Sequence, residues 1–231
     1  MLSFLYIFEI NNKLLLAFTA LLCILSCSHI CRGQEFVYLD KEGDEERILR
    51  ITKKQVPGKQ TLILNSSHKY SEHTYMPPGQ TRRWQLKDTS VSHDFLVERV
   101  QNEIKISGRY AGESINKKHQ IDDKPWINKL DHGLSAWVNS EEEEIVFWTL
   151  KLNSGLDPVE FEAEKVDTEE VITPAGTFQT IKVKLRLHGF LISNFWSATL
   201  WYRIEDGLFI RYEGDSGPGT SLRTIVLQKI L

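Results

Sequence analysis

The chain has 231 residues, a formal net charge of −3 and a hydrophobic fraction of 41%. Its six tryptophans help fill a sizeable core, and no long basic block gives it a nucleic-acid footprint. The three cysteines, Cys23, Cys27 and Cys31, all lie in or just after the N-terminal apolar stretch, which excludes a disulfide, a cysteine zinc site and a cysteine nucleophile from everything downstream.

Residues 14–25 are an apolar run preceded by Lys13, which fits a secretory signal core and is too short for an ordinary membrane span. Residues 2–8 ahead of it are also apolar, and Glu9 sits where a positive region is expected. Ile24-Leu25-Ser26-Cys27 resembles the bacterial lipobox, with an aliphatic residue three positions back and a small one directly before the cysteine. On this reading residues 1–26 are a lipoprotein signal peptide, Cys27 is the acylated N-terminus, residues 27–34 are a tether and residues 35–231 are a single β-rich domain. Ordinary cleavage after Ser28 or Gly33 and an uncleaved anchor are the alternatives.

Short strands are predicted at residues 35–39, 46–53 and 60–64, with Pro57-Gly58 as a turn. Residues 68–75 are polar and aromatic and end at Pro77-Pro78-Gly79. Residues 82–86, 95–100 and 103–110 follow at hairpin spacing. One helix is predicted: Pro125 suits a first helical position, Asp122-Asp123 supplies acidic character, and Trp126, Leu130, Leu134 and Trp137 fall on one face.

Strands resume at residues 145–152 and 161–166. Residues 177–187 show the cleanest alternation: Ile181, Val183, Leu185 and Leu187 point one way, and Lys182, Lys184 and Arg186 the other. Asp206-Gly207 is a hairpin turn between residues 198–204 and 208–213, and residues 222–230 form the closing strand. The fold class is therefore mainly β, a curved antiparallel sheet or half-barrel with one short packed helix.

The run Glu170-Val-Ile-Thr-Pro-Ala-Gly-Thr-Phe-Gln-Thr180, the lysine-rich strand after it, Trp201-Tyr-Arg203 and Asp206-Gly-Leu-Phe-Ile-Arg-Tyr212 resemble the DUF3108 family of bacterial envelope proteins, best over residues 140–231. The resemblance implies a curved antiparallel sheet like the half-barrels of lipoprotein carriers, and no catalytic residue. The chain departs from the family at Trp201-Tyr-Arg-Ile204, where a small residue and a proline often follow the aromatic pair. Pro174 and Gly176 read as turn formers, with Phe178 tucked beneath.

Motifs for chemistry are weak. Gly214-Asp-Ser-Gly-Pro-Gly219 matches the nucleophile segment of chymotrypsin-type proteases only locally, and reads better as a glycine-rich turn. Gly133-Leu-Ser-Ala-Trp137 lacks the second glycine of a nucleophile elbow. The seven histidines are scattered without metal-ligand spacing, and no phosphate loop is present, so neither a metal nor a cofactor is expected.

The aromatic residues are the remaining signal. Trp126, Trp137, Trp148, Trp196 and Trp201, with Phe147 and Phe195, either line a curved sheet that binds a hydrophobic ligand or partner, or pack as core. Neighbours such as Phe147-Trp148 and Phe195-Trp196 must point to opposite faces of a strand, so the second face is either covered or exposes an apolar patch. The leading expectation is an exported, periplasm-facing lipoprotein, held to a membrane by a lipid anchor at Cys27, that binds a lipid or other hydrophobic ligand. The alternatives are a structural or assembly protein docking another envelope protein and, more remotely, a serine hydrolase using Ser216 or Ser135.

Overall fold

The computed structural model describes residues 33–76, 79–152, 155–189, 196–215 and 221–231. The leader, Cys27, Phe195 and Ser216 lie outside the described residues. The first eight strands are β1 (Gln34–Glu42), β2 (Glu45–Val56), β3 (Lys59–Asn65), β4 (Lys69–Met76), β5 (Gln80–Asp88), β6 (His93–Val100), β7 (Glu103–Tyr110) and β8 (Glu113–Gln120). Two single-turn helices follow, α1 (Leu130–Gly133) and α2 (Ser135–Val138). The last six strands are β9 (Glu144–Leu150), β10 (Pro158–Thr173), β11 (Gly176–Leu187), β12 (Ser197–Arg203), β13 (Phe209–Asp215) and β14 (Leu222–Ile230).

All fourteen strands lie in one sheet, in the order β8 to β1, then β14 to β9. Every neighbouring pair is antiparallel, so the sheet consists of two meanders joined where β1 pairs with β14. The first and last strands thus meet in the middle, and β8 and β9 are the two edges of an unclosed sheet.

Alternation builds these strands. In β6, His93, Phe95, Val97 and Arg99 are buried while the residues between them are not. In β1, Phe36, Tyr38 and Asp40 point inward. Asp40 can be buried because Arg223 of β14 grips its carboxylate through two nitrogens, at 2.8 and 2.9 Å.

β8 was not foreseen. Its sequence, Glu-Ser-Ile-Asn-Lys-Lys-His-Gln, carries polar residues on both faces, as suits a sheet edge guarded by lysines against further pairing. β10 is also far longer than the run expected at residues 161–166. A bulge between Lys165 and Asp167 lets it continue to the Pro174 turn.

The predicted helix is shorter and begins later than expected. Pro125 and Trp126 are extended, and Trp126 forms a parallel bridge with Trp148 of β9. The backbone N–H of Trp148 donates to the Pro125 carbonyl, and that of Ile127 to the Trp148 carbonyl, both at 2.8 Å. On the other side, the Thr81 N–H donates to the Trp126 carbonyl at 2.8 Å. The crossover from β8 to β9 is therefore stitched to β5 and β9 at once, and Lys129, at φ 59°, then turns it into α1.

The crossover supplies much of the core. Ile127, Leu134, Trp137 and Val138 pack with Phe36, Tyr38, Leu62, Phe147, Leu200 and Phe209 in one cluster. Trp126 packs in a second with Trp84, Phe95, Ile106, Leu150 and Leu156. Near the open seam, Tyr110 donates to the Leu152 carbonyl and Lys117 to the Gly155 carbonyl at 3.0 Å, so side chains span what the backbone ladder leaves open.

Candidate functional site

Two places concentrate polar chemistry: a buried knot around the crossover and a groove at one rim of the sheet. The knot is built from tyrosines on three strands. Tyr75 of β4 donates to the Asn128 carbonyl at 2.8 Å, and Tyr202 of β12 to the Leu130 carbonyl at 2.9 Å. Tyr38 of β1 donates to the Phe209 carbonyl at 3.1 Å and lays its ring edge-on to His132. Asn128 takes the hydroxyl of Thr149 and the N–H of Leu150 on its side-chain oxygen, at 3.3 and 3.2 Å, and its own N–H donates to Thr81 Oγ1 at 2.9 Å. These bonds satisfy carbonyls that the irregular crossover would otherwise bury unpaired.

Lys129 and Asp131 form an ion pair beside this knot, flanked by His132 and, on β4, His73. Burial pushes the Asp131 carboxyl up, but Lys129 and His132 more than offset this and hold it below the usual carboxylate range. Burial also lowers both histidines, His132 to about 4 and His73 to about 3. Among the described residues His132 Nε2 and His73 Nδ1 have no hydrogen-bond partner. His73 Nε2 meets Ser71 Oγ at 2.9 Å, and that oxygen also accepts the Trp84 indole N–H at 3.1 Å.

The five tryptophans singled out from the sequence do not form one surface; of them, Trp126 and Trp148 are neighbours through their bridge. Trp126 and Trp137 are buried at 0% and 4% exposure, and their indole N–H groups find no acceptor. Trp148 is half-buried, donating to Asp122 Oδ1 at 2.8 Å beneath Lys124. The Lys124 ammonium and then the Trp148 indole hold Asp122 down at about 2. Trp196 donates to the Asp215 carbonyl at 2.8 Å and stands edge-on to Phe161.

Trp201 lies on the outer face of β12, opposite Lys182 of β11 and Arg211 of β13. Those two cations stand 5.6 and 5.1 Å from its ring, Glu169 accepts its N–H, and together they leave it only 5% exposed. The adjacent pair Phe147-Trp148 does split between faces, with Phe147 buried inside.

The groove lies at the end of β12 away from Trp196. It is an open depression of about 750 Å³ between the end of α2, the β10 bulge and the β12–β13 turn. Val138, Val166, Ile181 and Ile204 supply its apolar lining, and Glu143, Lys165, Asp167 and Glu205 its charge. Val166 is the bulged residue, without a register partner on β11. It and Ile204 are 44% and 45% exposed, among the more exposed large apolar side chains.

Gly207 in the Asp206-Gly207 turn shapes the groove wall. At φ 67° it sits so close to α2 that a Cβ there would come within 2.6 Å of the Ser135 carbonyl oxygen. None of the groove residues was singled out from the sequence as a candidate site; Ile181 was read only as part of the alternation of its strand. They come from four separated segments, and the bulge that exposes Val166 has no composition signature.

Among the described residues no group of three or more His, Cys, Asp or Glu side chains is placed to hold a metal ion, and no helix is long and apolar enough to cross a membrane. No protein-family model and no curated protein sequence matches the chain.

Solved structures do resemble it. A β-barrel-like protein of a domain of unknown function, DUF1849, from Brucella abortus superposes with a TM-score of 0.53 at 8% identity, over 86% of this chain and 95% of that one. The hypothetical lipoprotein YmcC from Escherichia coli gives 0.42 at 6% identity, over 91% of this chain and 94% of that one. The Brucella structure carries the likeness, which is one of fold: a bacterial β-barrel-like architecture.

Proposed function

We propose that this chain is an exported, lipid-tethered, non-catalytic protein that docks a protein partner at the rim of its sheet. The observation that carries this reading is the filled interior. The inner face, where a lipoprotein-carrier-like half-barrel would hold an acyl chain, is occupied by the chain's own crossover, pinned by Tyr75, Tyr202 and Asn128. A hydrophobic ligand would have to displace Ile127, Leu134 and Trp137 from the core. The lipobox-like Ile24-Leu-Ser-Cys27 and the resemblance to DUF3108 support placement in the cell envelope. The filled interior leaves recognition to the surface, and the rim groove exposes Val166 and Ile204.

Intact mass spectrometry, native and denatured, of the full chain extracted from envelopes in mild detergent tests this. The expected result is acylation at Cys27 and a retained protein partner. A stoichiometric, releasable lipid with no partner protein would return the function to hydrophobic-ligand binding. An unmodified, cleaved N-terminus would remove the tether.

A further inference from the structure

The rim groove carries three carboxylates and one cation, so its negative charge exceeds the positive. On β10, Glu160 is paired with Lys124, Glu162 and Glu164 with Arg186, and Glu169 with Lys182. Asp167, on the same strand at the bulge, accepts the backbone N–H of Thr168 at 2.7 Å. Among the described residues Glu143, Asp167 and Glu205 form no salt bridge; Glu205 acts on Arg203 at longer range, and Arg203 is itself paired with Asp206. The groove's one cation, Lys165, is committed elsewhere: its Nζ donates to the Ser140 carbonyl at 2.6 Å and stands 5.3 Å over the Trp137 ring.

An apolar lining edged by unpaired carboxylates repels an anionic lipid headgroup and matches a cationic, aliphatic ligand. The open groove, about 750 Å³, takes a few side chains and not a folded domain. We propose that the groove docks a short basic segment of a partner protein, with an aliphatic side chain seated against Val166, Ile181 and Ile204 and a lysine or arginine meeting Glu143, Asp167 and Glu205. This rests on the docking reading above and names the chemistry of its partner.

The test is fluorescence anisotropy of a short labelled peptide of alternating lysine and valine, titrated with the full chain in mild detergent. The control is the same peptide with glutamate for lysine. Glu143→Gln, Asp167→Asn and Glu205→Gln are combined in one variant, and Val166→Ser with Ile204→Ser in a second. All three carboxylates are exposed, so the first variant keeps the wild-type denaturation midpoint.

The lysine peptide should bind the wild type. It should bind the carboxamide variant at least about tenfold more weakly, a gap that narrows at high salt, and the serine variant more weakly too. The glutamate peptide should not bind. Equal affinity for wild type and the carboxamide variant, or no binding to the wild type, overturns the inference. A partner seen by native mass spectrometry and still held by the carboxamide variant overturns it while leaving the docking reading standing. A retained lipid without a partner protein removes the docking reading itself.

Discussion

The hydroxyl of Tyr202 donates to the main-chain carbonyl of Leu130, 2.9 Å away and 72 residues distant in sequence. That bond ties β12 to the first turn of the crossover helix, and Tyr75 makes the matching bond from β4 to Asn128. Two strands from opposite halves of the sheet thus hold one segment. Tyr202→Phe and Tyr75→Phe should each cost about 1–3 kcal/mol, because each leaves a buried carbonyl without its donor. Asn128→Ala removes two acceptor contacts and should cost at least as much. Equilibrium urea denaturation reads all three, and an unchanged midpoint for either tyrosine variant would mean that the crossover is held by apolar packing alone.

The core and surface tryptophans should behave differently. Trp126→Ala empties a fully buried site between the crossover and β5–β7, and a loss of about 3–5 kcal/mol is expected. Trp148→Ala removes a half-buried ring held by Asp122 and Lys124, and should cost about 1 kcal/mol. Thermal unfolding of the two variants side by side separates these expectations, and similar losses would contradict the assignment.

Gly108 of β7 has no room for a side chain. At φ 126° a Cβ would lie 2.3 Å from the carbonyl oxygen of Asp94, in the facing strand β6. Gly108→Ala should therefore destabilise by more than about 2 kcal/mol, through strain and a forced shift of the ladder. Gly58→Ala, with nothing near its Cβ, is the control and should bear only the cost of its positive φ.

Stability should fall with acid. His132 and His73 are held neutral by burial, at about 4 and about 3, below the ordinary 6.5 of the unfolded chain. The unfolded state therefore takes up protons first as pH drops below 6.5. Stability from each histidine is full above that value and is lost progressively, down to about pH 4 for His132 and about pH 3 for His73. Asp131, depressed by Lys129 and His132, acts in the same direction as it protonates.

For His132 the loss is on the order of 3 kcal/mol. The groups that face it are the rings of Phe36, Tyr38 and Phe209 and the charges of Asp131, Lys129 and Lys53. Denaturation midpoints from pH 7 to 4 should fall steeply in the wild type and less so in His132→Leu. Parallel slopes would show that His132 does not titrate on unfolding.

Local pattern carried much of the β structure. The alternation of Ile181, Val183 and Leu185 against Lys182 and Lys184 placed β11, and Asp206-Gly207 placed the β12–β13 turn, because side-chain period and turn chemistry act between near neighbours. The spacing of Trp126 with Leu130 and Leu134 misled for the same reason. It reads as one helical face, but Trp126 is drawn into an extended bridge by Trp148, a partner the local pattern does not contain. β8 was hidden because a polar edge strand lacks a buried face to reveal it.

What the sequence determined by itself was the β class, most of the strands, and turns such as Pro57-Gly58 and Asp206-Gly207. The meeting of β1 with β14, the burial of Trp126 and Trp137, and the groove around Val166 and Ile204 were decided only by tertiary structure. Each depends on pairing between residues far apart in the chain, and a local period carries no record of which distant strand will satisfy a backbone or cover a side chain.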